Sequence, residues 1–125
     1  MRRSAILAPY VPLSVEELEA VRSVKEWKSK KVRAVGQLTE ISAKTAVLES
    51  VSDPDEMCSI WVYVGSISRR KLKENTQVAV YGELTMMHGC ATLMAEVVRQ
   101  CPDTNLEHYN KAVELIHKRF PHNLK

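Results

Sequence analysis

The chain has 125 residues, 45% of them hydrophobic and 26% charged, with a net charge of +3 at pH 7. Such a length supports one compact core and is too short for two ordinary ones, and so mild a charge does not by itself announce a nucleic-acid binder. The opening "MRRSAILAPYVPLS" is basic with a brief apolar patch, too short for a signal h-region or a membrane span, which predicts an intracellular chain with no membrane partner.

Helix signals come first. In "LSVEELEAVRSV", Ser14 with Glu17 makes a capping box and Leu13 with Leu18 a hydrophobic staple. They predict a short helix over about 15–25, within an N-terminal extension of residues 1–30. A strand, "VRAVGQLTEI", follows at 32–41, with "TAVLES" at 45–50 as its hairpin partner across a tight "SAK" turn. "SDPDE" at 52–56 reads as a loop, with Asp53, Asp55 and Glu56 as turn formers rather than a carboxylate pair. In the third strand, "MCSIWVYV" at 57–64, the period of two gives orientation. Cys58, Ile60, Val62 and Val64 suit a core face, so Met57, Ser59, Trp61 and Tyr63 point the other way.

"SISRRKLKEN" at 66–75 reads as a short basic helix or an irregular connector. "VAVYGELTMM" at 78–87 is the fourth strand, "MHGC" the turn after it, and "ATLMAEVVRQC" at 91–101 the fifth. After "PD", Thr104 with Glu107 caps a terminal helix assigned to 104–120, which Pro121 stops.

Three strands, a connector, two strands and a helix form the pattern of the OB-fold, a five-stranded Greek-key barrel. The predicted class is therefore mainly β: a single domain over 1–125, its barrel at 31–101, with a short N-terminal helix and a C-terminal α-helix. Gly36 and Gly82 occupy matching places in the first and fourth strands, where a glycine has no side chain to pack. Both are expected at bends or bulges that let long strands curl into the barrel.

Chemistry-bearing motifs are missing. The sequence contains no GxxxxGK[ST], GxSxG or HExxH, so no enzyme is expected. His88, His108, His117 and His122 form no cluster with a cysteine at metal-ligand spacing, and no metal or other cofactor is expected. Cys58, Cys90 and Cys101 are an odd set, expected as free and mostly buried thiols.

Two features suit binding. Trp61 and Tyr63 share the outward face of the third strand, and on an OB barrel that region faces the oligonucleotide groove. Lys31, Arg33, Arg69 and Arg70 are candidate phosphate contacts beside them. The alternative is that both aromatics pack under the N-terminal helix. The second feature is the terminal helix, whose Leu106, Tyr109, Ala112, Val113, Ile116 and Phe120 form an apolar stripe that Leu115 widens. Part of that surface closes the barrel and the rest could meet a partner, the alternative being a helix that only plugs its own barrel.

These motifs resemble the smallest OB-fold subunits of heterotrimeric single-strand DNA-binding complexes. "YGEL" at 81–84, "LMAEVV" at 93–98 and "TNLEHY" at 104–109 are similar to the Ten-class subunit of the telomeric CST complex, while "YNKAVELIHKRF" at 109–120 is similar to the small subunit of replication protein A. Glu96 departs from the Ten class, in which arginine is frequent there. The resemblance implies a non-catalytic nuclear subunit at telomeres. Its terminal helix would bind a larger OB-fold subunit, of the Stn class or its replication protein A counterpart, beside a third and largest subunit. DNA contact would be weak. A pure interaction module that stabilises its partner without touching DNA is the other reading.

Overall fold

The pairing of two strands distant in sequence closes the sheet. In a computed structural model, residues 10–21, 31–53, 56–68, 70 and 72–119 are described. The strands are β1 (Val11–Pro12), β2 (Lys31–Thr39), β3 (Thr45–Asp53), β4 (Glu56–Tyr63), β5 (Thr76–Met87) and β6 (Cys90–Gln100), with helices α1 (Val15–Glu19) and α2 (Leu106–Arg119). Their order is β1-β2-β3-β4-β6-β5, and β2 also pairs with β5, so strands β2 to β6 form a closed barrel. β4 and β6 run parallel while β2–β3, β3–β4, β5–β6 and β2–β5 are antiparallel. This is the predicted OB-fold.

Alternation along the strands builds the core. Leu38, Leu48, Val62, Val80, Leu84 and Leu93 are fully buried inside the barrel, each contributing about 1.5–3 kcal/mol by removal from water. Ile60, Val62 and Val64 are buried as the parity argument requires, Cys58 packs half-buried against them, and Met57 and Trp61 are exposed.

The N-terminal segment is part of this core and not an appendage to it. β1 pairs with the first half of β2, at Val32 and Arg33, whereas β3 pairs only with its second half, from Gln37 to Thr39. β1 thus completes an edge that β3 leaves open, which limits pairing by another chain. Ser14 and Glu17 form the expected capping box, and Leu13, Val15 and Leu18 join the barrel core. The helix stops at Glu19 with Ala20 as its C-cap, shorter than predicted; residues 22–25 of the expected span lie outside the described residues.

Gly82 sits at a register shift, where Tyr81 pairs with Val97 but Gly82 pairs with Ala95, leaving Glu96 as the extra residue of a β-bulge. A Cβ on Gly82 would stand 2.1 Å from the Met94 carbonyl oxygen, and one on Gly36 would stand 2.5 Å from that of Glu49. Close approach of the neighbouring backbone explains both glycines. Neither adopts a positive φ; in the β5–β6 hairpin His88 (φ 54°) and Gly89 (φ 78°) do, the conformation that a two-residue turn of matching twist requires.

Other boundaries shift slightly. β3 and β4 extend through Ser52, Asp53 and Glu56 of the expected loop, because the ladder continues to the hairpin end across a bulge. Among the described residues of the connector after β4, 65–67 form a turn, Arg70 lies exposed in a 3-10 turn, Leu72 is buried, Lys73 is exposed, and Asn75 turns back through φ 63°. Asn105, not Thr104, caps α2, its Oδ1 accepting the His108 N–H at 2.9 Å. Gln77 donates to the carbonyls of Cys101 (2.9 Å) and Thr104 (2.6 Å), which fixes the approach of α2 to the barrel. The three cysteines are free, but none is fully buried: Cys58 and Cys101 are half-buried, and Cys90 is exposed because it flanks the β5–β6 turn.

Candidate functional site

The outer faces of β3 and β4 form an open groove of about 340 Å³. Register sets Val47 opposite Trp61 and Glu49 opposite Ser59 across the two strands. Trp61 is 52% exposed and lines the groove together with the apolar Val47 and Ala91, the acidic Glu40 and Glu49, and Gly89 and Cys90 of the β5–β6 turn. Glu19 and Val21, at the end of α1, also line it, and the Glu19 carboxylate accepts the Ser59 N–H at 2.9 Å. Trp61 is therefore beside the N-terminal helix without being covered by it. Tyr63 does not join the groove: it is half-buried, with its ring against Gly65.

The basic residues expected beside Trp61 are elsewhere. Lys31 and Arg33 occupy the first half of β2, paired with Glu83 and Tyr81 of β5. Lys31 forms an ion pair with Glu96, and the Tyr10 hydroxyl donates to the same carboxylate at 2.6 Å. Both contacts hold the Glu96 carboxyl below its usual range, that of Lys31 first and that of Tyr10 second. Tyr10 also meets Tyr81 edge-on, with ring centroids 5.3 Å apart. Arg33 is half-buried, its guanidinium 5.5 Å from the centre of the Tyr109 ring. Neither residue faces the groove, and Arg33 serves to hold α2. Arg70 is exposed on the connector, and Arg69 lies outside the described residues.

What sequence reasoning missed is the groove's acidity. Among the described lining residues there are three glutamates and no lysine or arginine. A phosphate 4 Å from a carboxylate is repelled by about 1 kcal/mol even in bulk water. Glu49 could have been found, since in the predicted second strand it shares the outward parity of Val47. Glu19 and Glu40 come together with it only through the folding of α1 and the β2–β3 turn.

The apolar stripe of α2 divides into two sides. Val113 is 1% exposed and Leu106 and Tyr109 are half-buried. The Tyr109 hydroxyl donates to the carbonyls of Arg33 (3.0 Å) and Leu13 (3.2 Å), tying the helix to the β1–β2 junction. Burial pushes its phenol up, keeping the hydroxyl a donor. Tyr109 and Val113 therefore belong to the molecule's own packing and not to a free partner surface. Ala112, Leu115 and Ile116 are exposed, Leu115 by 65%. Phe120 lies outside the described residues.

No protein-family model matches the chain. No curated protein matches it in sequence. Solved structures share its fold. The S. pombe Stn1–Ten1 complex contains a chain matched with a TM-score of 0.65 at 13% identity, over 89% of this chain and 94% of that one. The telomere capping protein Ten1 from S. pombe matches with a TM-score of 0.64 at 14% identity, over 88% of this chain and 99% of its own. A chain of U. maydis replication protein A bound to single-stranded DNA matches with a TM-score of 0.63 at 18% identity, over 94% and 96%. The chain is thus a near full-length structural counterpart of small OB-fold proteins.

Proposed function

We propose that this chain is the small, non-catalytic OB-fold subunit of a heterotrimeric single-stranded DNA-binding complex, CST-like, acting in the nucleus in telomere end protection and replication. The observation that carries this reading is end-to-end correspondence: the fold covers 99% of S. pombe Ten1, a telomere capping protein, and 94% of a chain in the Stn1–Ten1 complex. The replication protein A small subunit is the alternative within the same class, supported by the U. maydis match.

In this reading α2 joins a larger OB-fold subunit through its free side, Ala112, Leu115 and Ile116, with Phe120 beyond. An exposed apolar helix face of this kind suits a partner helix or groove. A subunit that stabilises its partner without direct DNA contact is the second reading, favoured by the carboxylates around Trp61.

Purification of the tagged full chain from cells, with identification of its partners, tests the proposal. The expected result is a larger OB-fold protein together with a third and largest one, and DNA binding that belongs to the complex. Recovery of the chain alone, or with partners lacking OB-folds, would overturn it.

A further inference from the structure

The groove around Trp61 has the chemistry of a cation site. Its lining includes the apolar Val47 and Ala91, its exposed indole offers a π face, and Glu40 and Glu49 stand on successive elements around it. Glu40 follows the end of β2 in a left-handed conformation (φ 48°) that sets it on the turn beside β3, and Glu49 lies on β3 on the same outward face as Val47, the cross-strand partner of Trp61. Glu19 already accepts a backbone N–H from Ser59, which leaves Glu40 and Glu49 as the carboxylates of the groove lining that would face a cation. Among the described residues, Lys44 is exposed in the β2–β3 turn, outside the groove lining.

We propose that this groove binds a basic peptide segment of a partner protein, with a lysine or arginine side chain over Trp61 and its charge facing Glu40 and Glu49, and that the same carboxylates keep single-stranded nucleic acid out. A cation over an indole is attracted by the ring's negative face, and flanking carboxylates add to that attraction where they repel a phosphate. Val47, on the outward face of β3, and the exposed flank of Trp61 offer the stem of a long basic side chain the apolar contact it favours. β3 is paired on both sides along the groove, with β2 and β4, while β4 pairs with β6 only from Trp61 onward and its Ser59 N–H, ahead of that pairing, is already taken by the Glu19 carboxylate. The peptide is therefore recognised through side chains and not by strand addition. The inference concerns the isolated chain and is independent of which complex it joins.

The test uses the full chain and two fluorescent probes, an octapeptide of alternating lysine and alanine and a dodecamer of thymidylate, read by anisotropy. The expected result is saturable, salt-sensitive peptide binding that weakens about tenfold or more in Glu40→Gln/Glu49→Gln and in Trp61→Ala, with melting temperatures unchanged because the substituted side chains are not core residues. The thymidylate probe should not saturate the wild type. Peptide affinity equal in both variants and the wild type would overturn the proposal. So would thymidylate binding that Trp61→Ala removes, which would make the groove a nucleic-acid site. Peptide binding that emerges only after Lys25, Lys28 and Lys30 are changed to glutamine would also overturn it, assigning the groove to the chain's own residues 22–30.

Discussion

The Tyr109 hydroxyl donates to the main-chain carbonyl of Arg33 at 3.0 Å, while the Arg33 guanidinium rests 5.5 Å from the centre of the Tyr109 ring. Two residues that sequence reasoning assigned to different functions, one to a partner and one to DNA, are therefore each other's partners. Tyr109 also reaches the Leu13 carbonyl, so a single side chain joins α2, β2 and the segment entering α1. Tyr109→Phe should lower stability by about 1 kcal/mol, since Arg33 O keeps its bond from the Leu13 N–H. Tyr109→Ala should cost about 3 kcal/mol through lost packing. Urea denaturation of both variants beside the wild type checks the order, and a Tyr109→Phe midpoint equal to that of the wild type would contradict the hydrogen-bond assignment.

The glycines make a second, graded prediction. Gly82→Ala places a methyl carbon against the Met94 carbonyl and Gly36→Ala places one against the Glu49 carbonyl, both backbone atoms that cannot swing aside. Each should destabilise by about 3 kcal/mol, Gly82→Ala the more. Gly89→Ala meets no atom within 4 Å but keeps φ at +78°, so its cost is the left-handed strain of about 1–2 kcal/mol. Thermal melts of the three variants should rank accordingly.

The Tyr10–Glu96–Lys31 cluster predicts a pH dependence. Glu96 is held below the ordinary carboxylate range by Lys31 and then Tyr10, so its contribution is present above the unfolded-state value and is lost as pH falls through the folded one. Lys31 is raised, first by its bond to Glu96, and Tyr10 is raised by the same carboxylate. Both contributions hold below the unfolded-state values and fade as pH rises through the folded ones. Glu96→Gln should therefore lower the melting temperature near neutrality, modestly for so exposed a cluster, and the gap to wild type should close below about pH 4. A gap that persists in acid would place the effect outside this ion pair.

Much of the architecture was legible in residue order. The capping box at Ser14, the parity of Ile60, Val62 and Val64, and the His-Gly turn follow from local chemistry that tertiary contacts reinforce. The site was legible only in part, for it depends on which strand neighbours which. Trp61 could be placed on an outward face from its own strand, but that Lys31 and Arg33 lie away from it follows only from knowing that β2 changes neighbours midway, from β1 to β3. Glu96, noted as a departure where arginine is frequent, gains its physical reason from the same folding: as the bulge residue of β6 it meets Lys31 and Tyr10.

The division of α2 into a packed side and a free side yields the prediction most relevant to assembly. Leu115 and Ile116 are exposed while Val113, two and three positions away, is 1% exposed, so substitutions on the two sides should fail differently. Leu115→Glu with Ile116→Glu leaves the barrel contacts of Tyr109 and Val113 intact, and the melt of the isolated chain should barely move. Large apolar anchors at a helical interface each cost about 2 kcal/mol when lost, a factor of about thirty in affinity, so the doubly charged variant should no longer retain the larger OB-fold subunit in a pull-down. Val113→Ala should do the reverse, lowering stability by about 1–2 kcal/mol through a buried cavity while the folded fraction still binds. Undiminished capture by the Leu115/Ile116 variant would move the interface away from α2. Loss of capture with an unchanged melt would locate it on Leu115 and Ile116, since the packed side contributes to the fold and not to the contact.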